Sequence, residues 1–196
     1  MLARTLFSLA IIAAGVVVAG RASPVQAATV WSAGPNDITF SKLGSDSPTT
    51  HQDHITNNVA LTRGATQGLY NIVSEASFTH GVSPADTTWA FSGLNSNPTF
   101  TYGQGAAEFG ALTFAPWETS LGGATLLDTN ILAGPGVLHL VTDDIYIDID
   151  FTTWGTGHTS ADVTYVRAVA AVPEPASLGL AFLAAPLLLC RKCRRI

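Results

Sequence analysis

Residues Asp144-Ile145-Tyr146-Ile147-Asp148-Ile149-Asp150-Phe151 alternate without a break. Ile145, Ile147, Ile149 and Phe151 fall on one face of an extended chain, and Asp144, Tyr146, Asp148 and Asp150 on the other. A slip of one residue in register would carry all four apolar side chains into water, so this segment is committed to a half-buried strand. Strands of this kind belong to antiparallel sheets with one face in solvent, and the acidic face of this one is expected to be solvated.

Short runs of β-branched and aromatic residues, punctuated by Gly, Pro, Asn, Asp and Ser, predict further strands over 38–40, 59–62, 88–91, 99–102, 112–114, 137–141, 145–153 and 161–169. Helical spacing is weak and confined to Leu69, Ile72, Val73 and Ala76. Strands do not alternate with helices and no internal repeat occurs, which excludes a parallel α/β fold and a solenoid. The expected architecture is all-β, an antiparallel β-sandwich ectodomain over 28–171.

The ends of the chain have a different composition. The apolar fraction of 47% and mean hydropathy of +0.31 are high for an acidic protein because residues 6–19 and 178–190 are almost wholly apolar. Arg4 and the amino terminus precede the first run, and the polar stretch 20–27 after it ends with the small residues Val25 and Ala27. This is the layout of a signal peptide over 1–27, cut by signal peptidase between Ala27 and Ala28. The apolar run falls short of the ~20 residues that span a bilayer, so an uncleaved amino-terminal anchor is the weaker alternative.

At the other end Pro173-Glu174-Pro175 precedes an apolar stretch over 176–190 and the basic residues Arg191, Lys192, Arg194 and Arg195. Two prolines around Glu174 forbid helix and sheet pairing there and leave an extended strip of backbone. The span predicts a transmembrane helix whose basic end stays cytoplasmic, which places 28–171 outside the cytoplasm. Fifteen residues make about 22 Å of helix against a hydrocarbon core of ~30 Å, and Pro186 interrupts them, so the span suits transit rather than lasting anchorage.

In its tripeptide, span and basic end, the segment 172–196 resembles the PEP-CTERM sorting signal of Gram-negative bacteria. The resemblance implies recognition by an exosortase, a membrane-embedded protease thought to cut near Pro173, Glu174 and Pro175, and an association with exopolysaccharide and biofilm matrix. A plain carboxy-terminal anchor is the alternative. The segments Asn58-Val59-Ala60-Leu61-Thr62-Arg63-Gly64, Gly68-Leu69-Tyr70-Asn71-Ile72, Ser83 to Ala90 and Leu138 to Phe151 also resemble a recurring module of exported bacterial proteins, to which no activity attaches.

Between residues 28 and 171 the chain carries three basic residues, Lys42, Arg63 and Arg167, against thirteen acidic ones, a net charge of −10. A domain this acidic repels phosphate, which excludes nucleic acid as a partner. Both cysteines, Cys190 and Cys193, lie in the tail, so the domain stands without a disulfide. Their CxxC spacing lacks the two further ligands a zinc site needs, and lipidation is the remaining use for a thiol so near the bilayer.

Several constellations have the residue types of a chemical site. Asp143, Asp144, Asp148 and Asp150 offer oxygen ligands to calcium, but same-face neighbours on a strand stand about 7 Å apart, so a solvated acidic face is the expectation. His51, Asp53 and His54 have the residue types of a transition-metal site, yet adjoin a polar loop over 45–52 and are expected to be solvated. His139 is placed on a strand, facing solvent or hydrogen-bonded in the core, and His80 and His158 in loops.

No cofactor is expected, and no GxSxG elbow or Cys–His pair is present; only Glu75, Glu108 and Glu118 remain as carboxylates for a secreted hydrolase. Among Trp31, Trp89, Trp117 and Trp154, Trp89 is expected in the core. Trp117 and Trp154 stand near loops, where rings can stack on sugars, and carry the reading as a carbohydrate-binding module. The leading expectation is a non-catalytic structural or adhesive protein of the cell surface or extracellular matrix. It would pass through the inner membrane to the envelope or beyond, with exopolysaccharide as a partner.

Overall fold

The computed structural model describes residues 27–65, 68–156 and 160–171. In chain order the strands are β1 (Thr29–Trp31), β2 (Ile38–Lys42), β3 (Asp53–His54), β4 (Ala60–Arg63), β5 (Leu69–Asn71), β6 (Thr87–Phe91), β7 (Gly136–Leu140), β8 (Ile145–Trp154) and β9 (Val163–Arg167). A 3-10 helix (Ala106–Ala111), α1 (Trp117–Ser120) and α2 (Ala124–Asn130) lie between β6 and β7. The fold is mostly β, with few and short helices.

The alternating segment is β8, and it organises the larger sheet, whose order is β2-β9-β8-β7-β6 with every neighbour antiparallel. β1 departs from the expected pattern. It pairs in parallel with Ile145–Ile147, on the edge of β8 that β9 occupies further along. The smaller sheet, β3-β4-β5, is antiparallel. Val59, Leu61 and Leu69 from its side share one core with Trp89, Leu138, Ile147, Ile149, Phe151 and Tyr165 of the larger sheet.

Period two breaks once in β8, where pairing with β9 shifts between Phe151 and Thr153. The bulge leaves both Thr152 and Thr153 exposed and returns Trp154 to the core side, where its ring lies 6.2 Å from that of Phe151.

The chain between β6 and β7 corrects three sequence expectations. Residues 99–102 and 112–114 are not strands; they belong to an excursion that folds over the second face of the larger sheet. Phe109 stacks on Tyr146 with ring centroids 4.0 Å apart, and Phe100, Ala106 and Val137 form a second small core. The acidic face of β8 is therefore largely covered rather than solvated. The same excursion closes the β6 edge, since Trp89 and Ala115 exchange backbone hydrogen bonds at 2.9 Å in both directions. Residues 69–71, given a weak helical reading, are strand β5.

Among the described residues no helix is long and apolar enough to cross a membrane. Of the predicted leader over 1–27, residues 1–26 lie outside them, as does the span over 176–190.

Candidate functional site

Both ends of the domain leave it at the same pole. Because β1 runs parallel to β8, its first residue sits beside the start of β8, and the Thr29 N–H donates to the Asp144 carbonyl at 2.9 Å. β9 runs the opposite way and returns to that end, where the Ala168 N–H donates to the Asp148 carbonyl at 2.9 Å. The two anchoring carbonyls are four residues apart on one strand, or about 13 Å. Ala27 is exposed and Ala28 half-buried, one residue before the first sheet hydrogen bond. Pro173, Glu174, Pro175 and the basic residues Arg191, Lys192, Arg194 and Arg195 lie outside the described residues, as do His158, Cys190 and Cys193.

The loops at this pole are acidic. Asp86 Oδ1 accepts from the Thr142 backbone N–H at 2.9 Å and its hydroxyl at 2.7 Å. Asp143 accepts from the Thr56 hydroxyl at 2.6 Å and Asn58 Nδ2 at 2.8 Å, which ties the smaller sheet to the β7–β8 turn. Asp144 turns the chain with φ +50, a conformation that Asp and Asn tolerate better than most residues.

Among the described residues no lysine or arginine balances these carboxylates, and the one imidazole beside them is His139, with Nε2 3.4 Å from Asp144 Oδ1. Lys42, Arg63 and Arg167 are only 1%, 5% and 3% exposed, and each is engaged internally. Lys42 Nζ donates to the Leu43 carbonyl, and burial pulls its amine below the usual value. Arg63 lies over the Trp154 ring at 3.6 Å and donates to the carbonyls of Gly155 and Asp162. Arg167 is held by Asp53.

The predicted constellations are taken apart by the fold. Asp148 is buried, with Oδ1 accepting the Ala106 N–H at 2.8 Å and Oδ2 the Ala33 N–H at 3.3 Å, so it serves as a strut under the covering excursion. Asp150 is half-buried, and Asp143 points to the smaller sheet rather than to either of them. Asp53 is neither a ligand nor solvated: it is buried under β9 and bound to Arg167 and Tyr165, while His51 and His54 are exposed.

Glu75 is used locally, with Oε2 accepting the N–H groups of Asn71 and Ala85, and Glu108 is exposed. His139 stacks on Tyr146 at 4.1 Å, on the covered face, with Nδ1 3.2 Å from the Thr88 hydroxyl. Trp117 and Trp154 are both buried, so neither is a surface stacking platform; Trp31 is half-buried against the core.

The chain matches no family model, no curated protein and no solved structure. One arrangement had no signal in the sequence. Glu118, with its side chain 10% exposed, accepts from the Gly81 N–H at 2.9 Å and lies 2.7 Å from His80 Nδ1, while the His80 side chain is 72% exposed. Thirty-eight residues separate the pair in the chain. The contact pins the turn before β6 onto α1.

Burial raises the carboxyl of Asp150 above its ordinary value of 3.8, and among the described residues no hydrogen bond offsets this. The folded state therefore holds that proton to higher pH than the unfolded chain does. Stability from this group is present at low pH and lost as pH rises from 3.8 through the folded value. Asp150→Asn is expected to raise the melting temperature at pH 7 and to flatten its increase on acidification. A pH series of thermal unfolding curves measures both, and a lower melting temperature at pH 7 would contradict the assignment.

Proposed function

We propose that the protein is an exported β-sandwich domain, delivered to the cell surface or extracellular matrix by an exosortase-type system, with a structural or adhesive, non-catalytic role. The observation that carries the reading is the order of parts in the sequence: leader, acidic domain, Pro173-Glu174-Pro175, apolar span and basic end.

The geometry of the domain supports it. Ala168, the last residue tied to β8, stands five residues before Pro173, which extended chain covers in about 17 Å. Ala28 stands one residue before β1. A precursor held by both apolar ends would thus be tethered at one pole, with the loops beyond Lys42, Arg63 and Trp154 facing away from the membrane. The non-catalytic role is supported by the dispersal of the glutamates, since Glu75 and Glu118 are occupied by backbone N–H groups of different loops. The sugar-binding alternative loses the two rings that carried it.

Replacement of Pro173, Glu174 and Pro175 by alanine is expected to leave unprocessed, membrane-bound protein in the native host. Fractionation and mass measurement of the chain check this, and normal processing of the variant would sink the reading.

A further inference from the structure

We propose that β2 is an edge on which a second copy of the chain docks: two copies pair β2 against β2, antiparallel about Phe40, and so join their larger sheets into one. Of the two ends of the larger sheet, the β6 edge is closed by Ala115, whereas β2 has only β9 beside it among the described strands. The ladder fixes which way β2 turns its backbone groups. The Ala168 N–H donates to the Asp148 carbonyl, so Val166 and Thr164 face β8 while Arg167, Tyr165 and Val163 face β2. The backbone groups of Ile38, Phe40 and Lys42 answer these three, and those of Thr39 and Ser41 point outward. Both residues are exposed, and among the described residues nothing pairs with their N–H and C=O groups.

Open edges are ordinarily guarded by an outward lysine, a proline or a bulge. Lys42, the one charged residue of β2, is instead 1% exposed and bonded to the Leu43 carbonyl, and the strand has no proline and no bulge. The free stretch has definite ends. Leu43 N–H is taken by Asp46 Oδ2 at 2.8 Å, and Asp37 N–H by the Gly34 carbonyl at 3.3 Å. A second copy fits this stretch group for group. With a two-fold axis at Phe40, Thr39 of each copy meets Ser41 of the other in four hydrogen bonds, and Asp37 meets Leu43, where neither N–H is free. Phe40, half-buried with its ring 5.2 Å from that of Tyr165, then lies against its own copy, and Ile38, 37% exposed, comes opposite Lys42.

Five residues make a strand about 17 Å long, whose pairing buries well under the roughly 1,200 Å² at which standard interfaces begin, so the dimer is weak and reversible. Each copy carries a net charge of −10 over residues 28–171, and Asp37 of one copy nears Asp46 of the other, so salt strengthens the pairing. β2 runs in the direction of β8, and the antiparallel pairing therefore sends the two terminal poles opposite ways. Copies tethered by that pole to one membrane cannot pair, whereas released copies, or copies on facing surfaces, can. This consequence rests on the exported, adhesive reading; the pairing itself does not.

The test is sedimentation equilibrium of the protein as the host makes it, at concentrations from about 10 μM to about 1 mM. The apparent mass of the wild type is expected to climb from that of the monomer toward twice that value, and to climb further at higher salt. Thr39→Pro removes an outward N–H and leaves the pairing with β9 intact, so it is expected to weaken association about thirtyfold, two of the four bonds being lost from the dimer. A second set of variants keeps every backbone group. Thr39→Glu with Ser41→Glu is expected to be monomeric, as is Thr39→Lys with Ser41→Lys, and an equal mixture of the two to dimerise, because position 39 faces position 41 of the other copy. A wild type that stays monomeric at about 1 mM overturns the pairing, as does undiminished association in Thr39→Pro or a mixture that stays monomeric. If Thr39→Pro does not fold, the mixture decides alone. Normal processing of the alanine variant at Pro173, Glu174 and Pro175 would sink the export reading and leave each of these outcomes untouched.

Discussion

Asp53→Ala is expected to lower the stability of the domain by about 3–5 kcal/mol, the range measured when one partner of a buried ion pair is removed. Arg167 grips Asp53 with two bonds, Nε to Oδ2 at 2.6 Å and Nη2 to Oδ1 at 2.7 Å, and the Tyr165 hydroxyl donates to Oδ2 at 2.8 Å. Both charged residues are buried, so the guanidinium left behind keeps the Ala168 carbonyl at 3.2 Å and has little water to turn to. Tyr165 is affected as well. Its phenol, held protonated far above the ordinary range by burial first and by the Asp53 charge second, loses its acceptor.

The position compounds the loss. β3 is two residues long, and this pair fastens it beneath β9, so the smaller sheet loosens with it. A domain of this size has roughly 5–15 kcal/mol in all. Urea unfolding measures the change, and a loss below about 1 kcal/mol would show that the pair is not the fastening described. Adding Arg167→Met to Asp53→Ala is expected to recover much of the loss, because the orphaned charge is then gone.

Periodicity carries a reading only as far as the neighbours of a strand allow. β8 was legible because Ile147, Ile149 and Phe151 are buried on one face whatever lies opposite, and β2, β4, β6, β7 and β9 followed from the same composition rules. What covers the other face was not legible. Asp148 looks like a solvent residue in sequence, and only the return of Ala106 and Ala33 across the sheet turns it into a buried acceptor of two N–H groups.

Trp154 looked like a loop residue because the expected strand ended at 153, whereas β8 runs on to Trp154 and the extra residue at Thr152 turns its ring to the side of Phe151. β1 failed because three residues carry too little pattern, and because its partner lies more than a hundred positions away. The pairing of Asp53 with Arg167 is of the same kind, 114 residues apart, and sequence proximity drew Asp53 to His51 and His54 instead. The start of β1 was not legible at all: nothing in the sequence placed Thr29 beside Asp144.

Trp117→Ala tests the largest of these reversals. A ring on a surface platform could be removed with stability changed by no more than about 0.5 kcal/mol. Trp117 is instead fully buried, set edge-on to Trp89 at 4.7 Å and 68°, with Phe91 at 6.0 Å and Phe151 at 5.6 Å around it. It reaches that place because Ala115 pairs with Trp89, after which Pro116 opens α1 and turns the indole inward. Truncating a buried aromatic of this size costs about 3–5 kcal/mol, through lost burial and the cavity left behind.

The loss is expected to fall near the top of that range, because the other sides of the cavity are rings held by β6 and β8, which cannot collapse into it. Trp117→Phe refills part of the space and is expected to recover about half. Its Nε1 is buried without a hydrogen-bond partner, so replacing indole with phenyl sacrifices no polar contact. Unfolding of the two variants in urea decides between core and platform. A Trp117→Ala domain as stable as the wild type would return the ring to the surface.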